Sequence, residues 1–556
     1  MFKFNFNKFN NEILKGQYSQ YLIISVFFLF LITGFTIVKD YGISTDEPFQ
    51  RSIGYFYYIS LIEKFFFNQE LLIALKNKFQ NMYWANEIIN GEYIQYGVLF
   101  DLFATSLEEF FKIEGDRNAF HLKHTVTFLT FFISSIFFYK IILDRFKNKI
   151  LAITATIFFI TTPRIFAESF YNCKDIVFMC FCIYSLYFCF KSFNEFTLKN
   201  IFLFSLFSAF ATNIRIMGIL LFVLFIIFFI LNTLEQENYF KKNFKNFLFF
   251  SLSYPILVFL FWPYLWDSPL QNFIAAFNSF ANYDWGGQVL YLGKYVKANN
   301  LPWHYIPIWI LITLPLPFLF LSLTGFLKIL FLFTNKILNL SEKNKLWTQI
   351  NDKKDFFILS FFLLPIFLVI LLDSTLYAGW RHLYFIYPCL IYFIAIGIKY
   401  ILDLQLKIFS EKILSSIIFF VLCFNIYNLI KLHPYQNIYF NSLVENRANK
   451  LFEIDYWGLG NYEAINFLLE NEKKNNVSIR TASFTPLFYS KLMLNDKNKK
   501  ISLTGTEQYD QDFIFTNYIY ENNPRYLKKY IIPKNYTKFF TLKRGNVIIN
   551  EIYRKN

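Results

Sequence analysis

Two adjacent carboxylates, Asp46 and Glu47, follow the first long apolar run of the sequence. A carboxylate can take the proton from an attacking hydroxyl and so act as a general base. A charge held next to a bilayer is costly unless it is solvated or used. Because neighbouring side chains diverge on a helix or a strand, we expect only one of the two to face a substrate directly. The alternative is a plain helix cap on a wet surface, since Pro48 suits the first turn of a helix.

A second polar group separates two later apolar runs. The segment from Pro163 to Asp175 also holds Arg164, Glu168 and Lys174, which is more charge than a short hairpin between helices needs. Such residues either pair across the helices as a structural ion-pair network or line a functional pocket. Both interpretations stay open, with Asp175 as a candidate for the chemistry and Glu168 and Lys174 as candidates for an acceptor site or pocket.

Two arginines supply positive charge near apolar runs. Arg381 and His382 stand at the start of a late run, and Arg215 lies between two earlier ones. The planar guanidinium group matches the geometry of phosphate oxygens, so we expect Arg381, Arg215 and His382 to bind a phosphate. The alternative is snorkelling of the arginines to lipid head groups, and a lone histidine can equally be structural.

Aromatic residues accompany these charges in the segment Leu301–Tyr305, which contains Trp303 and His304. Trp and Tyr at a membrane boundary usually form an anchoring belt, but aromatic rings also stack against sugars. The sequence does not separate the two interpretations, and Trp303 and His304 are candidates for the acceptor site or pocket.

Acids, arginines and aromatic rings together favour transfer of a sugar from a polyprenyl phosphate. An acid takes the proton from an acceptor hydroxyl as it attacks the anomeric carbon, and cations stabilise the departing lipid phosphate. No glycine-rich phosphate loop is present, so we expect no bound nucleotide. The six cysteines show neither metal-ligand nor disulfide spacing. No metal or cofactor is predicted, although a divalent metal is left open.

Long apolar runs must position these residues. Hydrophobic residues make up 55% of the 556-residue chain and charged residues 17%, against about 25% charged residues in a soluble domain. Runs of roughly 20 apolar residues are typical of membrane-spanning helices, and the sequence predicts an all-α polytopic membrane bundle with about eleven of them. The predicted spans are 21–38, 125–142, 150–167, 175–191, 200–213, 215–233, 246–264, 305–330, 356–373, 383–401 and 413–430. The fifth and sixth spans are separated only by 213–215 and are alternatively one long helix.

Lysines and arginines predict the orientation of this bundle. With eleven alternating helices, the N-terminal lysines and the basic loops all fall on one side, which the positive-inside rule makes the cytoplasm. The N-terminus is then cytoplasmic, and loop 39–120 and the tail from residue 431 are extracytoplasmic, in a bacterial inner membrane. The net charge of +15 is explained by this topology, so membrane lipid is an expected partner and nucleic acid is not.

The tail differs in composition from the rest of the chain. Residues 431–556 contain no spanning run and predict a small α/β domain. A helix is expected at 461–471 with Asn461 as its N-cap. Strands are expected at 477–484, 500–503, 513–518, 539–542 and 546–552. The predicted organisation is a transmembrane module of residues 1–430, including outer loop 39–120, followed by an extracytoplasmic domain of residues 431–556.

The order of these motifs resembles that of the GT-C membrane glycosyltransferases. Within that group it resembles family 39, the dolichyl-phosphate-mannose protein mannosyltransferases and their bacterial relatives, which include the aminoarabinose transferases of lipid A. The segments that carry the resemblance are Ser44–Glu47, Pro163–Asp175, Leu301–Tyr305, Gly379–His382 and Phe452–Gly458.

The resemblance implies a GT-C fold and roles for four residues. Asp46 would be the catalytic base with Glu47 as its partner, Asp175 a second acid of the pocket, and Arg381 a residue near the donor phosphate. The donor would be a polyprenyl-phosphate-linked sugar, and the acceptor a glycolipid, a surface glycan or a protein. A protein acceptor is the less expected one, because the lectin-like module of eukaryotic relatives is missing. Metal use differs among the relatives, and no ligand cluster in this sequence decides it.

Two other classes of protein remain as alternatives. A transporter or lipid flippase would place ionisable groups near the middle of the bilayer and often has repeated halves, whereas the charges here lie mostly at one boundary. A non-catalytic assembly subunit would use residues 431–556 as its main surface.

Overall fold

The computed structural model describes residues 17–66, 68–281, 283, 285–340, 345–404, 411–494, 500–504 and 510–556. Most of these residues are helical. The helices are α1 (Gln17–Ile37), α2 (Glu47–Phe65), α3 (Gln69–Gln80), α4 (Ala85–Ile89), α5 (Leu99–Phe110), α6 (Asp116–Phe146), α7 (Lys149–Thr161), α8 (Pro163–Tyr171), α9 (Asp175–Asn194), α10 (Leu198–Ile214), α11 (Ile219–Glu235), α12 (Tyr239–Phe261), α13 (Pro269–Ala281), α14 (Tyr305–Thr313), α15 (Leu316–Leu338), α16 (Ile350–Leu371), α17 (Tyr387–Asp403), α18 (Glu411–Leu432), α19 (Ala448–Leu451) and α20 (Gly460–Asn471).

The chain is a multi-pass membrane protein. Within the described ranges, nine helices are long and apolar enough to span a bilayer, the bent pair α7–α8 makes a tenth, and the shorter apolar α10 is an eleventh candidate. The apolar window of the span that contains α17 is 83% buried, against 17% for α1 and α18. The α17 span is therefore central, and α1 and α18 present their apolar side chains to lipid. The prediction of a helical membrane bundle is confirmed.

Prolines break two of the predicted spans. The predicted span 150–167 bends by 67° between α7 and α8, because Thr162, which precedes Pro163, is extended. The predicted span 305–330 is likewise two helices, α14 and α15, with the extended residue Leu314 before Pro315. A residue that precedes proline is disfavoured in the α region, so neither run is one straight helix.

The fifth and sixth predicted spans, for which one long helix was the alternative, are two separate helices. Arg215 is extended, with φ −140° and ψ 130°, between α10 and the short turn that leads into α11. The single-helix alternative for this region is therefore wrong. The break leaves the Arg215 side chain at the end of the bundle where α9 begins.

The segment between α1 and α6 folds over that same end of the bundle. Helices α2 to α5 enclose a small apolar core around Ile53, Tyr55, Ile88 and Val98. Gly97 packs directly on the backbone of Asn213 at the end of α10, where a β-carbon would collide. This segment is thus a packed cap on one end of the helices.

The tail forms a five-stranded mixed sheet in the order β4-β3-β5-β7-β6. The strands are β3 (Asn476–Thr481), β4 (Lys500–Thr504), β5 (Phe513–Thr516), β6 (Tyr536–Arg544) and β7 (Val547–Lys555), after the hairpin β1 (Gln288–Tyr291) and β2 (Lys294–Lys297) in an earlier loop. β3 runs parallel to both β4 and β5, and β7 runs antiparallel to both β5 and β6. All five strands predicted for the tail are present, and α20 packs on the sheet through Leu468.

The predicted cap of α20 is wrong. The helix begins at Gly460, and the Asn461 side chain donates to Thr485 Oγ1 at 2.8 Å instead of capping. The carboxylate of Asp455 accepts the Gly460 N–H at 2.9 Å and the Leu459 N–H at 3.3 Å. An acid five residues upstream therefore satisfies the free N–H groups at the helix start.

Candidate active site

Asp46 and Glu47 lie at the start of α2, where their side chains have different partners. Pro48 occupies the first turn of the helix, where its missing N–H is harmless. Glu47 is buried: its Oε2 accepts the Ser44 N–H at 2.7 Å, and its Oε1 lies 2.8 Å from His124 Nε2 of α6. Glu47 therefore closes the helix start and joins it to the bundle.

Asp46 is the accessible member of the pair. Its side chain is 35% exposed and makes no capping hydrogen bond to the start of α2, so a plain helix cap does not account for it. Its Oδ2 accepts a hydrogen bond from Arg381 Nη1 at 2.7 Å. Asp46 thus combines solvent access with a fixed orientation.

Arg381 connects Asp46 to the acid at the start of α9. The same Nη1 lies 3.4 Å from Asp175 Oδ2, and Asp175 Oδ1 forms an ion pair with Arg215 Nη2. Arg381 and Asp175 are almost fully buried, so their charges need each other rather than water. We call Asp46, Arg381, Asp175 and Arg215 the acid–arginine cluster.

Aromatic rings enclose the Arg381 guanidinium. Its central carbon lies 4.7 Å from the ring centroids of both Tyr377 and Trp457 and 5.4 Å from that of Tyr456. Tyr377 in turn stacks on Trp285 with centroids 4.5 Å apart. Cations on aromatic faces are stabilised by the ring quadrupole, so these rings hold the guanidinium plane while some of its N–H groups remain available.

The turn that carries Trp457 also holds the segment before α2. The Thr45 N–H and Oγ1 both donate to the Trp457 carbonyl oxygen at 3.0 Å. The buried Asp455 fixes this turn through the start of α20 and accepts a bond from Asn437 Nδ2 at 3.4 Å. Burial raises the pKa of Asp455 to about 6, although the N–H donors lower it in part. One side of the acid–arginine cluster therefore depends on the start of the tail.

Helix α8 brings a second acid beside the cluster. Glu168 accepts the Tyr384 hydroxyl at 2.7 Å and Asn172 Nδ2 at 2.7 Å. The same Asn172 nitrogen lies 3.2 Å from Asp175 Oδ2, so one amide links the two acids. Arg164 does not pair with Glu168; its Nε donates to the Tyr439 carbonyl at 3.0 Å.

A small, partly open cavity lies against this side of the cluster. Charged and aromatic side chains line it, among them Arg164, Glu168, Trp309, Glu453, Tyr456 and Trp457. Trp457 both lines this cavity and contacts the Arg381 guanidinium, so the cavity adjoins the cluster.

Two more of the sequence candidates lie around the cluster without touching its acids. The His382 ring packs edge-on against Tyr377, with centroids 4.8 Å apart. Lys174 precedes Asp175, and its Nζ lies 4.3 Å from the centroid of the Tyr96 ring.

Trp303 and His304 are not part of this arrangement. The Trp303 side chain is 68% exposed and contacts the His304 ring. His304 Nδ1 lies 2.6 Å from the Tyr291 hydroxyl of β1. Both residues belong to the loop that joins the small hairpin to α14. The structure does not bring them to the acid–arginine cluster, and a role for them in an acceptor site stays a prediction.

Sequence reasoning missed several residues that shape the site. Tyr377, Tyr384, Asn172 and His124 contact its charged residues, and nothing in the sequence around them marks these four positions as functional. Trp457 lies in the Phe452–Gly458 segment that carried the family resemblance, which is the one signal in the sequence that pointed to it.

No group of three or more His, Cys, Asp and Glu side chains in the described ranges is arranged to hold a metal ion. The acids of the cluster are instead compensated by guanidinium groups.

Comparisons with known proteins show similarity at the level of structure. No protein-family model matches the chain, and no curated protein matches it by sequence. Among solved structures, the chain is similar to the crystal structure of ArnT from Cupriavidus metallidurans in the apo state. The two share 8% sequence identity with a TM-score of 0.47, over 96% of this chain and 97% of that one.

Proposed function

We propose that the protein is a GT-C-type glycosyltransferase that moves a sugar from a polyprenyl-phosphate donor to an acceptor hydroxyl. The observation that carries this proposal is the position of Asp46, which is partly exposed and bonded to an arginine that also contacts Asp175. An accessible carboxylate next to two guanidinium groups provides a base and a phosphate site a few ångströms apart.

In the proposed reaction the acceptor oxygen attacks the anomeric carbon and its proton passes to Asp46. The bond between that carbon and the phosphate oxygen breaks, and its electron pair leaves with the polyprenyl phosphate. Arg381 and Arg215 stabilise the growing negative charge. Attack from the face opposite the phosphate inverts the anomeric configuration.

The remaining candidates have supporting roles in this proposal. Glu47 fixes the start of α2 through Ser44 and His124, and Asp175 orients both arginines. His382 supports the ring of Tyr377 close to the phosphate. Glu168 lines the neighbouring cavity, where it is placed to contact the acceptor or the sugar.

The proposed location is the outer face of a bacterial inner membrane. Arg145, Lys147 and Lys149 lie at the junction of α6 and α7, at the other end of the helices from the acid–arginine cluster, which supports a cytoplasmic position for that junction. The proposed organisation is a transmembrane module of residues 1–430 and an extracytoplasmic domain of residues 431–556. The proposed acceptors are a glycolipid, a surface glycan or, less readily, a protein.

The positions of the acids do not favour a transporter. In the described spanning helices the acids lie within the first or last two turns or in the short α8, at Asp116, Asp144, Glu168, Asp175, Glu235, Asp352, Asp355, Asp403 and Glu411. An ion or proton pathway would need ionisable groups near the middle of the bilayer. A non-catalytic subunit gives no reason for a partly exposed acid bonded to a buried arginine.

Asp46→Asn tests the proposal directly. The purified protein would be incubated with a panel of lipid-phosphate sugars and candidate acceptors, and the products identified by mass spectrometry. Loss of a general base lowers the rate by about 10²- to 10⁴-fold, so we expect transfer by Asp46→Asn to be nearly abolished while its melting temperature stays close to wild type.

Asp267→Asn is the matched control, because Asp267 is an exposed acid between α12 and α13. It is expected to transfer like wild type. Near wild-type transfer by Asp46→Asn would remove Asp46 from the role of base, and the absence of transfer with every lipid-phosphate sugar would refute the proposed function.

A further inference from the structure

Lys174 has an unusual environment for a lysine. Lys174 is only 8% exposed, and its Nζ has no hydrogen-bond partner among the described residues. The ammonium group lies on the face of the Tyr96 ring, 4.3 Å from its centroid. A buried ammonium without a partner is costly, so its retention calls for a ligand.

The charges around Lys174 are otherwise matched. Asp101 pairs with Lys123 at 2.8 Å, Asp175 pairs with Arg215, and Asp46 pairs with Arg381 at 2.7 Å. In the part of the chain that the structure describes, Lys174 has no carboxylate in ion-pair distance. The same holds for the buried Arg164 on the cavity side of the cluster, but Arg164 Nε donates to the Tyr439 carbonyl at 3.0 Å, whereas Lys174 Nζ has no hydrogen bond among the described residues. Lys174 therefore leaves an unbonded positive charge beside the acid–arginine cluster.

That charge faces the cluster. Arg215 and Asp175 both act electrostatically on Lys174. Tyr96, which carries the ammonium on its face, is influenced by Arg215 and Asp46. The Lys174 ammonium thus lies on the Tyr96 ring, and Arg215 and the proposed base Asp46 lie within electrostatic range of that ring.

We propose that Lys174, on the face of Tyr96 and beside Arg215, forms the subsite that binds the phosphate of a lipid phosphate ester. This inference rests on the proposed function and deepens it, since it adds one residue to the proposed phosphate site. A phosphodiester donor carries one negative charge, which the Lys174 ammonium can pair with. The departing monoester gains further charge, to about −1.5 to −2 at pH 7, so Lys174 stabilises the later stages of bond breaking more than the bound donor.

Binding of farnesyl phosphate tests this subsite without depending on transfer. The full-length protein in detergent would be titrated with farnesyl phosphate, inorganic phosphate and farnesol, with tryptophan fluorescence and thermal shift as readouts. Loss of a charge-assisted hydrogen bond weakens binding by about ten- to hundredfold. We expect that loss for Lys174→Met, and wild-type affinity for Lys294→Met, which removes an exposed lysine of β2.

The pH profile distinguishes a direct ammonium–phosphate contact from a general structural effect. Burial lowers the pKa of Lys174 to about 8; Arg215 lowers it further, and Asp101, Cys173 and Asp175 oppose the shift. Burial raises the pKa of Cys173 and of Tyr96 far above their ordinary values, so neither titrates near pH 8. Affinity for farnesyl phosphate should therefore fall as the pH rises from 7 to 10 and Lys174 loses its proton.

Lys174→Arg completes the design, because a guanidinium stays charged throughout this range. It should bind farnesyl phosphate and keep its affinity up to pH 10. Equal affinities of wild type and Lys174→Met would overturn the subsite. So would an affinity of Lys174→Arg that falls between pH 7 and pH 10 in the same way as that of wild type. Inorganic phosphate binding as tightly as farnesyl phosphate would also overturn it, because a free anion would then be the ligand.

The transfer assay separates this inference from the proposed function. Lys174-dependent binding of farnesyl phosphate without transfer of any sugar would support the phosphate subsite and refute the glycosyltransferase. Transfer that occurs while Lys174→Met binds and reacts like wild type would support the enzyme and refute the subsite.

Discussion

The bundle holds two buried clusters of acids and bases, one at each end, and they are built differently. At the end away from Asp46, Arg145 Nε and Nη2 donate to the two oxygens of Asp355 at 2.8 and 2.7 Å. Tyr392 donates to the same carboxylate at 2.6 Å, and Lys354 pairs with Asp144 at 2.6 Å. We call these five residues the inner cluster; none of their buried side-chain nitrogen and oxygen atoms lacks a hydrogen-bond partner.

The acid–arginine cluster and the neighbouring Lys174 are less completely hydrogen-bonded. One nitrogen of Arg381 serves two acids, while Nε of Arg381, Nε of Arg215 and Nζ of Lys174 are buried without hydrogen-bond partners among the described residues. A fully bonded network rigidifies a structure, whereas unmade bonds in a buried network are costly. The difference indicates that the inner cluster stabilises the fold and that the acid–arginine cluster is arranged for a ligand.

Apart from Asp46→Asn, which removes the proposed base, Arg381→Lys should lower the transfer rate the most. A lysine keeps the charge but cannot present several fixed donors to two acids and a phosphate. Removing one preorganised donor typically lowers the rate by about 10²- to 10³-fold. We expect a loss of that order in the transfer rate, measured with the donor that the panel identifies, and a small change in melting temperature.

The matched variant for Arg381→Lys is Arg145→Lys in the inner cluster. It should lower the melting temperature and leave the rate per folded molecule unchanged. The same loss of rate in both variants would show that the two clusters do not differ in function.

The sequence predicts the membrane bundle well because hydrophobicity is a local signal. Long apolar runs identify the spanning helices without any knowledge of their partners. The bends were harder to predict. The run around Pro315 is apolar on both sides of the proline, and the predicted span 150–167 continues past Pro163 through Ile165–Ala167 despite Arg164. Composition therefore shows one span where the backbone has two helices. α20 is a similar case, because its start is closed by Asp455, outside the window in which a cap is expected.

The site is only partly predictable because its contacts join distant residues. Asp46, Asp175, Arg215 and Arg381 stand out as charges at the ends of apolar runs, and the structure brings them together. Nothing local shows that Tyr377 and Trp457 enclose Arg381 or that Trp303 points to solvent. Aromatic residues are abundant in this chain, with 78 Phe and 38 Tyr, so their presence in a loop carries little information.

Asp355→Asn tests the inner half of the comparison by its effect on stability. The change leaves the Arg145 guanidinium with a neutral partner and removes one oxygen from Tyr392 or Arg145. An unsatisfied buried donor costs about 1–3 kcal/mol, so we expect a lower melting temperature in detergent and an unchanged transfer rate per folded molecule. An unchanged melting temperature with slower transfer would reverse the roles assigned to the two ends.

The smallest expected effect concerns Asp455, which supports the Trp457 side of the acid–arginine cluster. Burial raises its pKa from 3.8 to about 6, so the folded protein binds this proton more tightly than the unfolded chain. Stability should therefore fall as the pH rises from about 4 to about 6 and stay lower above that range, by at most about 3 kcal/mol.

Asp455→Asn has no proton to lose at this position and should remove that part of the pH dependence. Melting temperatures of wild type, Asp455→Asn and the exposed control Asp267→Asn would be measured from pH 4 to pH 7. They would give the change of melting temperature with pH for each protein. Glu453, whose pKa burial raises from 4.5 to about 8, also makes stability fall with rising pH across this window. It does so equally in wild type and in Asp455→Asn, so the difference between their two curves isolates Asp455. Parallel curves for wild type and Asp455→Asn would mean that the turn is held by its backbone contacts to Thr45 alone. The tail would then support the cluster without an ionisable group.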